Sequence, residues 1–132
     1  MIFILTPNDA SSAESSAKVS INAFRETSKK IICSSLGESA GEAAIFLLRE
    51  VMRRDPFEVL WENPRAFYEE IVKVFGEGAK VLINVLIENI NREYGLTMRP
   101  EHFLELMREG DRKALEEIRS FIRMVAKASK EA

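Results

Sequence analysis

Very little in this chain points to covalent or metal chemistry. Of 132 residues, one is cysteine, one is histidine and one is tryptophan. A lone thiol, Cys33, forms no internal disulfide, so nothing calls for an oxidising compartment and a reducing, cytoplasmic setting is expected. Cys33 and His102 together fall short of the several thiolate and imidazole ligands of a structural zinc site, so neither metal nor cofactor is expected. Charge of one sign is scarce as well: 19 basic groups stand against 21 acidic ones, for a net charge of −2. A general nucleic-acid binder needs a surplus of Lys and Arg, so nucleic acid is not an expected partner. No apolar run approaches the roughly 20 residues that cross a bilayer. Met1-Ile2-Phe3-Ile4-Leu5 is too short for a signal-peptide core and has no basic residue before it, so no membrane partner is expected either.

What the chain does have is one domain's worth of length and apolar material. Hydrophobic residues make up 46% and charged residues 30% of it, enough for a single core with a solvated exterior and far from the composition of a disordered chain. Thr6-Pro7-Asn8-Asp9-Ala10-Ser11-Ser12 is polar and proline-interrupted, which predicts a flexible or partner-docked N-terminal segment over residues 1–12, with one helical domain over 13–132.

Apolar residues then recur at helical spacing. Ala17, Ile21, Phe24, Ile31, Ile32 and Leu36 share one face, and Ala40, Ala43, Ala44, Leu47, Leu48 and Val51 share another. Asp55-Pro56 and Asn63-Pro64 both carry the cap-then-proline grammar of a helix start. Gly76, Gly95 and Gly110 stand where helices end. The segment from Gly78 to Tyr94 is apolar around most of its circumference and predicts a central buried helix. No segment alternates as a half-buried strand does, so the expected fold is all-α, a compact bundle of five or six helices.

Motifs that could carry chemistry fail on context. Gly37-Glu38-Ser39-Ala40-Gly41 matches the G-x-S-x-G elbow of a serine hydrolase, with Ile31-Ile32-Cys33 as a conceivable strand before it. The chemistry also needs an acid and then a histidine on a supporting sheet, and His102 is the sole imidazole. Small residues at a helix start explain the same five letters. Gly76-Glu77-Gly78-Ala79-Lys80 lacks the spacing of a phosphate loop and reads as a stop followed by a start. Glu69-Glu70 and Glu116-Glu117 point about 100° apart on a helix, so they are solvated pairs and not acid–base dyads. No catalytic residue is assigned.

Amphipathic surplus remains. Ile21 and Phe24 in the first helix and Leu115, Ile118, Ile122 and Val125 in the last form narrow stripes that a core between Leu36 and Tyr94 need not cover. These six residues are the expected interface of a homodimer or of a contact with a partner protein's helix.

Leu36-Gly37-Glu38-Ser39-Ala40, Asn63-Pro64 with Phe67, Phe75-Gly76-Glu77-Gly78-Ala79-Lys80-Val81-Leu82 and Tyr94-Gly95-Leu96 together resemble an archaeal helical family, the Nitrosopumilus-type output domain. The resemblance spans about Ser35 to Leu96 and implies a signal-transduction output module without assigned catalytic residues. The expected function is a non-enzymatic helical protein-interaction module. The alternatives are a DNA-binding transcription regulator and a small hydrolase using Ser39 with His102.

Overall fold

A computed structural model describes the backbone of residues 5–131 and the side chains of residues 15–131. Among the described residues every regular element is helical. The order is α1 (Leu5–Leu36), α2 (Glu38–Met52), α3 (Pro56–Glu62), α4 (Pro64–Phe75), α5 (Gly78–Tyr94), α6 (Pro100–Glu109) and α7 (Arg112–Glu131). The all-α expectation holds, with seven helices in place of five or six. The extra count comes from α3, which stays separate because each proline start has its own cap. The Asp55 carboxylate accepts from the Phe57 N–H at 2.8 Å, and the Asn63 side chain accepts from the Ala66 N–H at 3.1 Å. Asp55 also pairs with Arg25, tying the start of α3 to α1.

Helix α1 runs unbroken from Leu5, so Thr6 to Ser12 take helical backbone in place of the linker form. Pro7 sits in the first turn, where an N–H has no intrahelical acceptor and its absence costs nothing. Extending a nucleated helix fixes one residue per added bond, so polar residues continue a turn that they would not start. The expectation for Met1 to Leu5 falls, apart from Leu5, outside the described residues.

The core is built across α1, α3, α6 and α7 by an aromatic chain. Phe57 meets Phe24 edge-to-face with centroids 6.2 Å apart, Phe24 meets Phe121 at 6.5 Å, and Phe121 meets Phe103 at 5.8 Å. Ile118, Ile122 and Val125 of α7 fill the space around them and are fully enclosed. The α1–α7 pair is the most extensive helix–helix contact. On α5, Ala79, Ile83, Leu86, Ile87 and Ile90 face this core, but Val81 is 62% exposed. The helix from Gly78 to Tyr94 is therefore buried along one broad face and not on most sides. The surplus of apolar residues there reflects a wide contact with α1, α4, α6 and α7.

Two glycines decide how α1 and α2 join. Gly37 turns the chain between them at φ 97°, a backbone conformation closed to most side chains. Gly41 lies where α2 crosses α1: a Cβ there would stand 2.7 Å from Cys33 Cα and 2.8 Å from its Sγ. These two requirements account for the first and last letters of Gly37-Glu38-Ser39-Ala40-Gly41 without a nucleophile.

Candidate functional site

The six residues expected to form an interface are not on the surface. Phe24, Ile118, Ile122 and Val125 are 0–1% exposed, Ile21 is buried, and Leu115 is half-buried. Their stripes cover one another: α1 and α7 pack face to face within a single chain, which buries what a second copy was expected to cover. Ile21, Phe24, Ile118, Ile122 and Val125 are therefore not available to a second copy.

The strand-and-elbow setting of a serine hydrolase is not found around Ser39. Ile31-Ile32-Cys33 is helix and not strand, and Ser39 is exposed in the first turn of α2. His102 has a partner that the sequence did not disclose. Its Nε2 meets the Glu117 carboxylate of α7, so Glu117 is not a free solvated acid. The spacing gave no clue, because His102 lies on α6 and the pair forms only when α6 packs on α7. Both side chains are two-fifths exposed, and a contact so placed contributes under about 1 kcal/mol. They border a hollow of about 520 Å³ with Thr97, Met98, Ser120 and Met124. Among the described residues no group of three or more His, Cys, Asp and Glu is placed to hold a metal ion, and no helix is long and apolar enough to cross a membrane.

The feature that stands out is the outer side of α2. The sequence pattern placed Ala40, Ala43, Ala44, Leu47, Leu48 and Val51 inward. The structure rotates the helix so that Gly41, Ala44, Ile45 and Leu48 face the core. Close approach at Gly41 is the physical reason, because only that edge lets the α2 backbone reach Cys33. The rotation turns the other apolar strip outward: Phe46 is 59% exposed, Leu47 46% and Val51 41%, with Ala40 and Ala43 exposed between them. Leu36 at the end of α1 adds another, at 47%. Among the described residues the remaining large exposed apolar side chains, Val19, Val72, Val81 and Met124, stand singly on α1, α4, α5 and α7.

Phe46 projects between two depressions. On one side lies a groove of about 930 Å³ against α1, walled by Thr27, Lys29, Lys30, Cys33, Glu42 and Arg49. Tyr94 closes part of it and meets the Thr27 hydroxyl at 3.3 Å. On the other side lies a hollow of about 560 Å³ bounded by Arg49, Glu50, Arg53 and Arg54. Arg54 is engaged by Glu62 at 3.0 Å and by Glu58 at 3.6 Å, which favours its charged form further, the Glu62 hydrogen bond foremost. Arg49 and Arg53 lie along the exposed rim. Cys33 is partly exposed at the groove wall with its sulfur against Gly41, where it spaces two helices.

A second surface is defined by charge. Helix α7 carries six basic and three acidic residues in a chain whose net charge is negative. Arg112, Arg119, Arg123, Lys127 and Lys130 follow one another at steps of seven, four, four and three, which keeps them on one strip. Arg119 and Arg123 both lie over the buried Trp61 ring, 4.9 and 5.3 Å from its centre, and Arg119 Nε donates to the Trp61 carbonyl at 2.9 Å.

No protein-family model matches the chain, and neither a curated protein nor a solved structure matches it. The resemblance to the output-domain family thus rests on the quoted residues alone.

Proposed function

We propose that the chain is a non-enzymatic protein-interaction module that makes its contact through the outer face of α2. The observation that carries this reading is that Phe46, Leu47 and Val51 all stand exposed on one helix, α2, with Leu36 exposed at the end of α1 just before it. The centre of the face is an aromatic side chain held proud between hollows, the form that binding anchors commonly take. Signalling output, the role implied by the resemblance, fits the same face, since small shifts of α1 against α2 would change how Phe46 is presented.

A photoreactive amino acid tests this at position 47, with the same substitution at Lys127 on α7 as the control. Irradiation in the cell that makes the protein is expected to give a discrete cross-linked protein from position 47 and none from position 127. Loss of that product on Phe46→Ala would fix the anchor. If position 47 gives no more product than position 127, the face is not a contact surface and the reading fails.

The basic strip of α7 supports a second reading, the DNA-binding regulator. Four to five cations on one face neutralise about four phosphates, so log K would fall with log salt at a slope of about −4. Arg123→Ala with Lys127→Ala would then flatten the slope by about two. Absence of any mobility shift with duplex DNA at low salt ends this reading. The engagement of Arg119 and Arg123 by Trp61 weighs against it, because both guanidinium groups already lie over that ring.

A further inference from the structure

We propose that the hollow between α6, α7 and the loop over residues 95–99 binds one monovalent copper ion, Cu(I), through the thioethers of Met98 and Met124 and the imidazole of His102. The site lies apart from the α2 face. None of its residues belongs to α1 or α2, so it stands whether or not that face makes a contact.

The ligand set follows from what meets there. Two of the chain's five methionines and its only histidine line one hollow of about 520 Å³. Three separate elements bring them together: Met98 comes from the loop before α6, His102 from the first turn of α6 and Met124 from α7. The scarcity of cysteine and histidine that excludes structural zinc leaves this set untouched, because two of its donors are thioether sulfurs. Thioethers are soft donors that select Cu(I), whereas hard cations prefer carboxylate, carbonyl and water oxygens. Met124 is 48% exposed, on a helix whose Ile118, Phe121, Ile122 and Val125 are all buried. Its sulfur is spare to the core.

His102 arrives oriented. Its Nε2 meets the Glu117 carboxylate, so that nitrogen carries the proton and Nδ1 keeps the lone pair that a metal ion needs. A carboxylate behind a ligating imidazole is the usual outer partner of a protein-bound metal, because it fixes the ring and makes it a better donor. Glu117 also brings the negative charge that offsets a monovalent cation. Arg99, the basic residue on the rim, is drawn toward Glu101 at 4.0 Å. Glu117, Ser120 and Met124 follow at steps of three and four, which sets them on one side of α7. The loop is fixed as well. The Asn91 side chain donates to the Met98 carbonyl at 2.6 Å and accepts from the Met98 N–H at 3.2 Å. With the backbone held both ways, only side chains have to move. A methionine has three rotatable bonds, enough to swing each sulfur onto an ion beside the ring. Leu96 and Phe121 line the rest, an apolar surround that suits a soft ion of low charge.

Anaerobic titration of Cu(I), kept reduced by ascorbate, against the coloured chelator bicinchoninate tests this. The full chain carries Cys33→Ser, so that no thiolate competes. It is expected to withdraw one Cu(I) per chain from the chelator. Met98→Leu, Met124→Leu and His102→Ala each weaken binding at least about tenfold, and Glu117→Gln, which acts through the ring, weakens it by about 10–100-fold. Met52→Leu, on α2, changes nothing. Met124 and His102 are partly exposed, so their variants keep the fold, which circular dichroism verifies. Ag(I) imitates Cu(I) without redox chemistry. It is expected to shift the methyl NMR signals of Met98 and Met124 and to leave those of Met52 and Met107 in place. The proposal is overturned if the Cys33→Ser chain takes no copper from the chelator, or if any one of the three ligand substitutions leaves the affinity unchanged. Silver that moves a different pair of methyl signals overturns it as well.

Discussion

Phe121→Ala is expected to lower the stability of the chain by about 3–5 kcal/mol, the range for truncating a buried aromatic side chain. For a domain of this size that is a fall of roughly 10–20 °C in Tm. Phe121 is 3% exposed and touches two other rings, Phe24 and Phe103, so its removal opens a hole at the meeting point of α1, α6 and α7. The hole cannot close by a local shift, because Ile118, Ile122 and Val125 around it are already fully enclosed. The same experiment separates core from interface. If the α7 stripe were covered by a second copy, the Tm of the wild type would depend on protein concentration at low micromolar levels, and truncation would act mainly on association. With the stripe inside one chain, thermal unfolding at low micromolar concentration gives the full loss with no concentration dependence. A loss under about 1 kcal/mol would mean that α7 does not pack on α1 as described.

Gly41→Val is the second large effect, at about 3 kcal/mol, with Gly41→Ala smaller and of the same sign. Two terms oppose each other at this position. Ala in place of Gly inside a helix gains up to about 1 kcal/mol from backbone entropy. Against that, a Cβ would stand 2.7 Å from Cys33 Cα and 3.0 Å from Cys33 N, both backbone atoms that only move if α1 and α2 separate. Overpacking of this kind typically costs 1–3 kcal/mol, so the clash wins. Cys33→Ala is not expected to rescue Gly41→Ala, since it removes the sulfur and leaves the nearer Cα in place. Chemical denaturation of the single and double variants checks both statements. A Gly41→Ala chain more stable than the wild type would show that the two helices cross farther apart. Because α2 would have to move outward, Gly41→Val should also weaken contact through the α2 face.

Much of the architecture was legible in the sequence because helix ends are local events. Asp55, Asn63 and Asp111 cap with their own side chains over the next two or three residues. Gly95 ends α5 with the Leu96 N–H returning to the Asn91 carbonyl at 3.0 Å, as a glycine stop followed by an apolar residue requires. Thr6 to Ser12 is helical where its residues suggest a linker, because polar residues that weakly favour helix are carried along by a helix already formed downstream.

What this sequence determined by itself was therefore composition-level and local: a helical unit and the positions of most of its starts and stops. Which apolar stripe lies inside was decided only by tertiary structure. The stripes of α1 and α7 looked like spare surface and are the core, while the strip of Ala40, Ala43, Leu47 and Val51 looked like core and faces out. Periodicity says that a helix has an apolar side, and α2 has two adjacent ones. The choice between them came from the contact of Gly41 with Cys33, eight residues earlier on another helix, and no helical spacing encodes a contact of that kind.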